Sequence, residues 1–570
     1  MTVGIDLGTT NSVVGAYIDG AVQLFADDQD RILLPSAVAL SPSGSVVVGQ
    51  TARNRRLLDP SRTVMSVKRE MGRTEEVRLG EQSLSPPQIS ALILSALVDR
   101  AERTLGARPT QAIITVPAYF DDAQRQATRD AGAFAGLEVL RLVNEPTAAA
   151  TTYQSGAEET VLVFDLGGGT FDVSVLEREE ELLEVLSSHG DTRLGGDDID
   201  RAFYRWVIER LGRDGDVIER RPLASARLHQ AVERAKHALS QKEEVRLVEP
   251  LIVEDGDVLI DVDLRVTRNE LEELARPVVR KALGKVNEAL RDARVRATDL
   301  DRVLLVGGAT RMPLVEAMVA EHLDLPVSRD LDPDLAVAQG AAIIAARAMG
   351  TEVHTVLVDI TPHTLVAGSL NPDDPFDAMV AAPIIRRGSV VPVERTESFI
   401  TAYENQSGVD LPVGQGEEPL FDDVTYIGEV RLEGLPPSPA GSLVEVTYRL
   451  DLSGVLHVSA VHAASGLSAE TRITKSPFRL TARQRKTARA ELETLLAAHA
   501  PETKPDRSLA LAMLKRAERA LERAPTESGA RAAVEAARAT LKGLVAAPEA
   551  TEAQLEAALD KLSDALLDLM

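Results

Sequence analysis

The stretch VLVFDLGGGTFD, residues 161–172, constrains the fold of this chain more than any other stretch. An apolar run typical of a buried strand ends at Asp165, and three consecutive glycines (167–169) follow before a second strand-like run begins. Glycines let the backbone turn with positive φ and place no Cβ between amide groups and an anion. The stretch predicts a β-hairpin that binds a phosphate, with Thr170 as a hydroxyl donor and Asp165 and Asp172 facing a metal. An ordinary glycine-rich turn is an equally good interpretation of one such stretch alone.

A second copy of the pattern favours the functional interpretation. VGIDLGTTNSVV, residues 3–14, again runs from a strand through Asp6 and a glycine into two threonines and another strand. A third glycine turn, VLLVGGATRMP, covers residues 303–313. Two such hairpins suggest a duplicated domain that closes on one nucleotide. None of the turns is a P-loop, because the Gly-Lys pair at 284–285 is followed by Val286 rather than by Ser or Thr.

Composition excludes several classes of fold and function. A chain of 570 residues implies two to four domains. A formal net charge of -25 disfavours non-specific binding to nucleic acid or anionic lipid. The absence of Cys excludes disulfides, thiolate nucleophiles and Cys-based zinc sites. The N-terminus enters a strand at Val3 without a signal-like segment, and the longest weakly polar run, residues 335–349, is interrupted by Gln339 and Arg347. We therefore expect a cytoplasmic protein.

Six stretches, in this order, resemble the seventy-kilodalton heat-shock chaperone family of the DnaK type: GIDLGTTNS, ITVPAYFDDAQRQATRDAG, VNEPTAAA, FDLGGGTFDVSV, GDTRLGGDDID and LLVGGATRMP. The resemblance runs from Val3 to about Ile473. Strand and helix patterns alternate in the first part of the chain, short strands follow, and the last part is rich in Ala, Leu, Arg and Glu. The resemblance therefore implies an actin-like α/β ATPase domain with a duplicated ribonuclease-H-like core (1–352), a linker (353–360), an all-β peptide-binding sandwich (361–475) and a small α-helical lid (476–570).

The resemblance also implies ATP and ADP as ligands, together with Mg²⁺ and K⁺. The implied catalytic residues are Lys68, Glu145, Asp165 and Thr170, and the implied metal-binding residues are Asp6, Asp165 and Asp172. The implied nucleotide-binding residues are Asp6, Gly8, Thr9, Thr10, Asn11, Gly167, Gly168, Gly169, Gly195, Gly196, Asp197, Glu233, Lys236, Ser240, Gly307, Gly308, Arg311 and Asp334.

Simpler interpretations stay open for several of these residues. A lone lysine such as Lys68 is usually solvated, and Glu145 precedes a proline and is expected to be extended. Glu233, Lys236 and Ser240 share one helix face, which is equally typical of a surface salt bridge. Asp334 precedes a helix pattern and is a candidate helix cap.

Downstream of the ATPase pattern, the resemblance assigns peptide binding to Ala367, Phe399, Ala402 and Val409, although plain sandwich core is the default for apolar strand residues. Ala367 replaces a larger residue of the relatives, Pro412 is expected to interrupt a strand, and Asp373, Asp374 and Asp377 suggest a preference for peptides flanked by Lys or Arg. Coupling between domains is assigned to Pro117, Arg125, Arg141, Leu357 and Asp359; for Pro117 and Arg125 the residues alone support only a strand-to-helix corner.

The C-terminal part predicts about four helices separated at Pro501, Pro505, Pro525 and Pro548. Thr551 and Gln554 predict a capping box, followed by a leucine stripe at Leu555, Leu559, Leu562, Leu566 and Leu569. We expect this stripe to pack in an intramolecular bundle beside the sandwich, against Leu511, Leu514, Leu521, Val534, Leu541 and Leu544; a dimer interface is the alternative.

The function that these observations predict is an ATP-dependent chaperone that binds and releases extended hydrophobic peptides during slow ATP hydrolysis. Its expected partners are unfolded polypeptides, a J-domain co-chaperone and a nucleotide-exchange factor, with no nucleic acid and no membrane. One alternative is a chaperone-type exchange or holding factor with little cycling. A second is an actin-like sugar or metabolite kinase, which the linker and the sandwich disfavour.

Overall fold

The computed structural model describes residues 1–153, 158–180, 182–255, 258–351, 356–371, 378–452, 454–472, 482–498, 507–523 and 529–569. Several predicted features lie outside these ranges. They are the first part of the linker (353–355), the three aspartates at 373, 374 and 377, the domain boundary at 475–476 and the prolines at 501, 505 and 525.

Residues 2–152 form lobe I, a mixed sheet covered by helices. The strands are β1 (Thr2–Asp6), β2 (Asn11–Ile18), β3 (Ala21–Leu24), β4 (Leu34–Pro35), β5 (Ala37–Leu40), β6 (Val46–Val48), β7 (Thr63–Met65), β8 (Val77–Leu79), β9 (Gln82–Leu84), β10 (Gln111–Val116) and β11 (Glu138–Asn144). The helices are α1 (Gln50–Arg55), α2 (Pro86–Leu105), α3 (Asp122–Phe134) and α4 (Glu145–Thr152). The main sheet has the order β11-β10-β1-β2-β3, and β4 also pairs with β2.

Residues 159–331 form lobe II. Its strands are β12 (Glu159–Leu166), β13 (Phe171–Glu179), β14 (Leu182–Asp191), β15 (Glu244–Asp255), β16 (Val258–Thr267) and β17 (Arg302–Val306). Its helices are α5 (Gly196–Leu211), α6 (Arg213–Glu219), α7 (Pro222–Leu239), α8 (Arg268–Ala293) and α9 (Pro313–Leu323). The sheet order is β17-β12-β13-β14, and β15 and β16 form a separate hairpin.

The two lobes repeat one plan, as the duplicated hairpin motifs predict. In lobe I, β1, β2 and β3 form an antiparallel meander, and β10 pairs in parallel with β1. In lobe II, β12, β13 and β14 form the same meander, and β17 pairs in parallel with β12. Helix α4 and a further helix, α10 (Ala336–Ala348), pack together, and their buried side chains share one apolar core with residues of both sheets. The two hairpin turns therefore belong to lobes that are joined by a common core.

The predicted linker is itself a strand. β18 (Val356–Ile360) adds to the edge of the lobe II sheet in parallel with β14, so that Leu183 lies opposite Leu357. Val356 is exposed, whereas Leu357 is half-buried and Asp359 is buried. An apolar linker thus contributes one more strand to the sheet of lobe II.

Two antiparallel sheets with one shared core follow the linker. The strands are β19 (Leu365–Ser369), β20 (Val380–Ile385), β21 (Val390–Val391), β22 (Val393–Ile400), β23 (Gly408–Gln415), β24 (Thr425–Glu433), β25 (Leu443–Leu450), β26 (Leu456–His462) and β27 (Ser468–Arg472). The sheet orders are β20-β19-β23-β24 and β22-β25-β26-β27, and β21 pairs with β18. The buried Tyr448 donates its hydroxyl to the Val366 carbonyl at 3.1 Å and ties the two sheets together. The expectation that Pro412 interrupts a strand is wrong: Pro412 lies inside β23, opposite Glu429 of β24, and it is beyond the part of β23 that pairs with β19, residues 413–415.

The C-terminal helices are α11 (Ala482–Ala498), α12 (Ser508–Arg523), α13 (Gly529–Ala546) and α14 (Glu552–Leu569). We call α12–α14 the C-terminal bundle. Its core contains the predicted residues Leu514, Leu521, Val534, Leu541, Leu555, Leu559, Leu562 and Leu566, with Leu544 half-buried beside them. The capping box is confirmed: the Thr551 amide donates to Gln554 Oε1 at 2.9 Å, and the Gln554 amide donates to Thr551 Oγ1 at 3.3 Å.

Two parts of the bundle prediction are wrong. Leu511 is 51% exposed, because it lies on the outer face of α12. Helix α11 does not join the bundle or cover the sandwich; it packs on α2 and α3, and Ala488, Leu492 and Leu495 belong to the core of lobe I. The side chain of Leu569 lies outside the described part of the chain.

Among the helices that the structure describes, none combines the length and apolarity needed to span a bilayer.

Candidate functional site

The turns of the two duplicated hairpins meet at the bottom of the cleft between the lobes. A Cβ on Gly168 would overlap the Thr10 hydroxyl, and a Cβ on Gly169 would lie 2.5 Å from Thr9 Cγ2. The expectation of positive φ at residues 167–169 is wrong, because none of these glycines has it. What the glycines provide here is the missing side chain, which lets the lobe II turn contact the threonines of lobe I. Gly307 of the third turn does have positive φ, at 84°.

A cavity of about 580 Å³ opens above these turns. Most of the predicted site residues line it: Asp6, Gly8, Thr9, Thr10, Asn11, Lys68, Glu145, Asp165, Gly167, Gly168, Thr170, Gly196, Asp197, Glu233, Lys236, Ser240, Gly307, Gly308, Arg311 and Asp334. Hydroxyls, backbone amides and a lysine at one end suit an anion, and the helix faces at the other end suit a larger ring system.

Three predicted residues lie beside the cavity rather than on its wall. The carbonyl of Gly169 accepts a hydrogen bond from Arg69 Nε at 3.0 Å. A Cβ on Gly195 would lie 2.6 Å from the Gly168 carbonyl oxygen, so this glycine lets the start of α5 approach the hairpin. Asp172 lies opposite Asp165 in the β12–β13 register, and its Oδ1 accepts the Tyr119 amide at 3.0 Å.

Lys68 is buried and forms an ion pair with Glu145, so it is not a solvated surface lysine. Burial alone would lower the pKa of Lys68, but Glu145, Asp6 and Asp165 together raise it. The expectation that Glu145 is extended is wrong: it is the first residue of α4, and Asn144 before it is the extended residue. The ion pair and the packing of α4 between the sheets outweigh the steric preference of a residue that precedes proline.

Carboxylates surround this ion pair. Burial first, and the charge of Glu145 second, raise the pKa of Asp6 to about 7 and the pKa of Asp172 to about 7. Burial and then Glu145 also raise the pKa of Asp165 well above its ordinary value. The described residues contain no group of three or more metal-ligating side chains arranged to hold an ion by themselves. A cation here would therefore need ligands from water or from a bound molecule as well.

The opposite end of the cavity is formed by α7. Lys236 Nζ donates to Asp200 Oδ2 at 2.6 Å, and burial raises the pKa of Asp200 to about 6. Glu233 forms an ion pair with Arg53 of lobe I at 2.8 Å, which bridges the cleft. Ser240 follows one turn after Lys236 and also lines the cavity.

Arg311 and Asp334 close this end of the cavity from the third glycine turn. Arg311 Nε donates to Asp334 Oδ2 at 2.7 Å, while half of the arginine side chain stays exposed. The helix-cap interpretation of Asp334 is wrong, because the residue before α10 is Leu335 and no side chain caps that helix. Asp334 instead orients Arg311 over the cavity.

Sequence reasoning missed the contacts that join the lobes beside Lys68. Arg69 Nη2 donates to Asp198 Oδ2 at 2.6 Å, and Ser66 Oγ donates to Asp197 Oδ2 at 3.0 Å. The signal was available for Arg69, which is the next residue in the same VKR motif. Asp198 and Asp200 follow Asp197 in the GGDDID stretch, where acidic residues at a helix start are typical of caps.

A second group of predicted residues lies where the sandwich meets lobe I. Arg125 Nη2 donates to Asn144 Oδ1 at 2.7 Å, and Asn144 Nδ2 donates to both carboxylate oxygens of Asp359 at 3.0 Å. Arg141 lines a small cavity together with Arg125, Asn144 and Asp359. Burial raises the pKa of Asp359, and its contacts with the Ile360 amide and with the arginines oppose that shift. Pro117 ends β10 ahead of α3, as the corner interpretation predicts.

The four residues assigned to a peptide groove differ in their surroundings. Ala367 has no exposed surface and belongs to the sandwich core, so here it is a core residue rather than part of an open groove. Phe399 and Val409 are half-buried against that core. Ala402 is exposed in the turn after β22, close to the exposed Ile400 and Tyr403.

A family model described as Hsp70 protein matches residues 2–570. The chain belongs to the Hsp70 family.

Individual relatives support the same conclusion. A chaperone protein DnaK of Thermotoga petrophila is 43% identical over 480 residues, which cover 81% of this chain and 78% of the relative. The DnaK of Thermotoga neapolitana is 42% identical over 480 residues with the same coverage. The DnaK of Thermosipho melanesiensis is 41% identical over 478 residues, 81% of this chain and 78% of the relative.

The protein is thus an ATP-dependent molecular chaperone of the Hsp70 family, and it is an ATPase. The family binds ATP or ADP together with Mg²⁺. The two alternative functions, an exchange factor with little cycling and an actin-like kinase, are not favoured.

Proposed function

We propose that the cavity between the lobes binds ATP and ADP, with the phosphates on the hairpin turns and the adenosine against α7. Glu233, Lys236 and Ser240 would contact the adenosine from one side, and Arg311, oriented by Asp334, from the other. The proposal is supported by the cavity lining, in which small and hydroxyl residues occupy one end and the α7 side chains the other.

The phosphate end of the cavity supplies hydrogen-bond donors, and its glycines carry no side chains that would occupy the space of the phosphates. The backbone amides of the three glycine turns and the hydroxyls of Thr9, Thr10 and Thr170 would donate to phosphate oxygens. Lys68 would stabilise the charge that develops on the γ-phosphate and would help to position the attacking water, and Glu145 would orient Lys68 and accept a hydrogen bond from that water. The oxygen of the water forms a bond to the γ-phosphorus while the bond between that phosphorus and the ADP oxygen breaks. The proton of the water leaves with the products. Few side chains take part in bond making, so slow basal turnover is expected.

The acidic residues around Lys68 fit divalent and monovalent cations. Asp6, Glu145, Asp165 and Asp172 are buried close to one lysine. Burial first, and the charge of Glu145 second, raise the pKa values of Asp6, Asp165 and Asp172. Carboxylate oxygens are ligands that Mg²⁺ and K⁺ accept. We propose that Asp6 and Asp165, with Glu145, hold the waters of Mg²⁺, and that K⁺ binds near Asp6 and Asp172. When bound, Mg²⁺ supplies charge neutralisation on the β- and γ-phosphates.

The sandwich (361–475) is proposed as the peptide-binding domain, the first 352 residues as the ATPase domain with an actin-like, duplicated ribonuclease-H-like core, and 476–570 as the lid. Phe399, Ala402 and Val409 would contact an extended apolar peptide, whereas Ala367 would act from within the core. The arrangement described here, with β18 paired to lobe II and α11 on lobe I, is proposed as the low-affinity, ATP-bound form. In that form α11 does not cover the sandwich.

We propose that coupling between the nucleotide cavity and the peptide-binding domain runs through the arginine–asparagine–aspartate contacts at the linker. Asp359 is held by Asn144, which in turn accepts from Arg125 on α3. Pro117 lies at the corner between β10 and α3 and would transmit changes at the nucleotide to α3. Leu357 would anchor the linker strand.

Unfolded polypeptides, a J-domain co-chaperone and a nucleotide-exchange factor are the proposed partners. The co-chaperone would act at the linker and near Arg141 and Asn144. A cytoplasmic location stays a prediction.

The observation that carries the proposal is that the linker is docked as a strand of lobe II, the lobe that forms one wall of the cavity, and that its Asp359 contacts Asn144 of lobe I. The test is the affinity of the purified protein for a fluorescent apolar peptide with ADP and with ATP. We expect ATP to release the peptide within seconds and to lower its affinity by about tenfold or more, the range of a few kcal/mol typical of coupled sites. Equal affinity in both nucleotides would overturn the coupling and leave a holding factor.

A further inference from the structure

The C-terminal bundle contacts lobe II through charged side chains on one face of α12. Arg516 Nη2 lies 2.5 Å from Glu249 Oε1, and Arg519 forms hydrogen bonds of 2.8 and 3.1 Å with the carboxylate of Glu254. Both glutamates belong to β15. An arginine face on the bundle therefore meets an acidic strand of lobe II.

Glu249 is the carboxylate at the centre of a cluster of three arginines, Arg227, Arg234 and Arg516. Its side chain is only 1% exposed, and its carboxylate also accepts from Arg227 at 3.2 Å and from Arg234 at 2.9 Å, both on α7. Burial would raise the pKa of Glu249, but Arg516, Arg234 and Arg227 together lower it. Because two arginines of lobe II stay with the carboxylate when α12 leaves, the surface can exist with and without the bundle. A reversible contact is expected from this arrangement.

The docking surface lies behind the nucleotide cavity. Helix α7 presents Glu233, Lys236 and Ser240 to the cavity, and it presents Arg227 and Arg234 to Glu249. The bundle therefore contacts a structure that is continuous with the lobe II wall of the cleft.

Helix α11, which precedes the bundle, is attached to the other lobe. Gln88 Nε2 donates to the Ala488 carbonyl at 2.9 Å, Arg485 lies 3.4 Å from Asp130, and Leu492 is buried in the core of lobe I. The C-terminal helices thus contact lobe I through α11 and lobe II through α12, on the two sides of the cleft.

We propose that the acidic face of β15 is a docking surface for this chain's own C-terminal bundle, and that the resulting bridge between lobes restrains the opening of the cleft. The proposed nucleotide site lies between the lobes, so separation of the lobes would ease nucleotide release and the bridge would slow it. The inference rests on the proposed nucleotide site, but it requires neither hydrolysis nor peptide binding.

The test measures release of fluorescent ADP from the full-length protein by stopped-flow mixing with excess ATP, without peptide. Arg516→Glu with Arg519→Glu should accelerate release about three- to tenfold, because one buried and one exposed ion pair are replaced by repulsion. Lys515→Glu is the matched control, since Lys515 is exposed on the same helix and its replacement also changes a positive charge to a negative one. It should leave the release rate unchanged.

A second variant approaches the contact from lobe II and leaves the bundle intact. Glu254→Arg should also accelerate release, and combining it with Arg519→Glu should return the rate toward that of the unmodified protein. Unchanged release in both the bundle variant and Glu254→Arg would overturn the inference while the nucleotide site stands. A chain that bound no ADP would overturn the proposed site and this inference with it.

Discussion

At the scale of single residues, the ion pair between Lys68 and Glu145 determines the chemistry of the cleft. Lys68 is buried close to the carboxylates of Glu145, Asp6 and Asp165, and the charges of these three groups raise the pKa of the lysine. A lysine held in this way keeps its charge at any physiological pH. It can therefore act on a phosphate without a change of protonation.

Replacing Lys68 by Ala should reduce ATP turnover by at least about a hundredfold, the cost of losing one positioned charge at a transition state. ATP affinity should stay within about tenfold, since the hairpin amides provide most of the phosphate contacts. Single-turnover hydrolysis and equilibrium ATP binding measure the two effects. Lys236→Ala, a lysine at the other end of the same cavity, should do the reverse and weaken binding more than turnover. Turnover that survives in Lys68→Ala would assign the positioning of water to another group.

Motif residues and their neighbours could be predicted from the sequence to different degrees. The hairpins follow from short-range patterns, because strand, turn and strand are adjacent in the chain, whereas the rest of the cavity lining is implied only by the resemblance to the chaperone family. Pairings between distant segments, such as Ser66 with Asp197 or Arg53 with Glu233, depend on how the two lobes approach each other. No local pattern encodes that approach.

At the scale of elements, the linker strand β18 is the part whose position matters most. Its hydrogen bonds to β14 and the contact of Leu357 with the core between the lobes hold it in place. Its apolar composition predicts that it docks, but composition cannot identify β14 as the strand that receives it. Helix α11 illustrates the same limit, because the C-terminal helices are expected beside the sandwich and α11 packs on lobe I instead.

Leu357→Asp should leave basal hydrolysis and peptide binding in place and abolish the release of peptide by ATP. An aspartate in this half-buried position opposes docking of the strand, because a charge must be desolvated there. Val356→Asp is the control, since Val356 is 40% exposed on the same strand. Stopped-flow peptide release on addition of ATP distinguishes the two variants. Release at the normal rate in Leu357→Asp would reduce the linker to a tether.

At the scale of the whole molecule, the sandwich is docked on the lobes through polar contacts. The Asp122 amide donates to Gln415 Oε1 at 3.1 Å, and Arg387 forms an ion pair of 2.7 Å with Asp292 on α8. His363 lies edge-on to the Tyr119 ring at 4.4 Å, with Nε2 3.3 Å from the Tyr119 carbonyl. Burial, with the charge of Arg125 adding to it, lowers the pKa of His363 to about 4.

Docking of the sandwich should therefore weaken in mild acid. The docked histidine stays neutral down to about pH 4, whereas the undocked one takes up a proton below its ordinary pKa of 6.5. Docking is complete above that value and is lost progressively as the pH falls toward 4, with a change of about tenfold in the docking equilibrium between pH 7.5 and 5.5.

Hydrogen exchange of the amides in residues 356–360, in the presence of ATP, reports docking across this pH range. The charged groups around His363 are Arg125, Arg387 and Glu417. His363→Leu keeps the packing against Tyr119 and should show much less dependence on pH. An identical profile in the variant and the unmodified protein would contradict the role of this histidine.

The pairing of β18 with β14 has a further consequence for the behaviour of the protein in solution. When the linker leaves, the lobe II sheet ends at β14, and the backbone groups of residues 182–184 become an unpaired edge. Edges of this kind are templates on which other extended chains add a strand. The segment is short and includes Glu184, both of which discourage such addition. Self-association of the undocked form is therefore expected to be weak, to involve this edge, and to disappear when ATP restores the linker to its place.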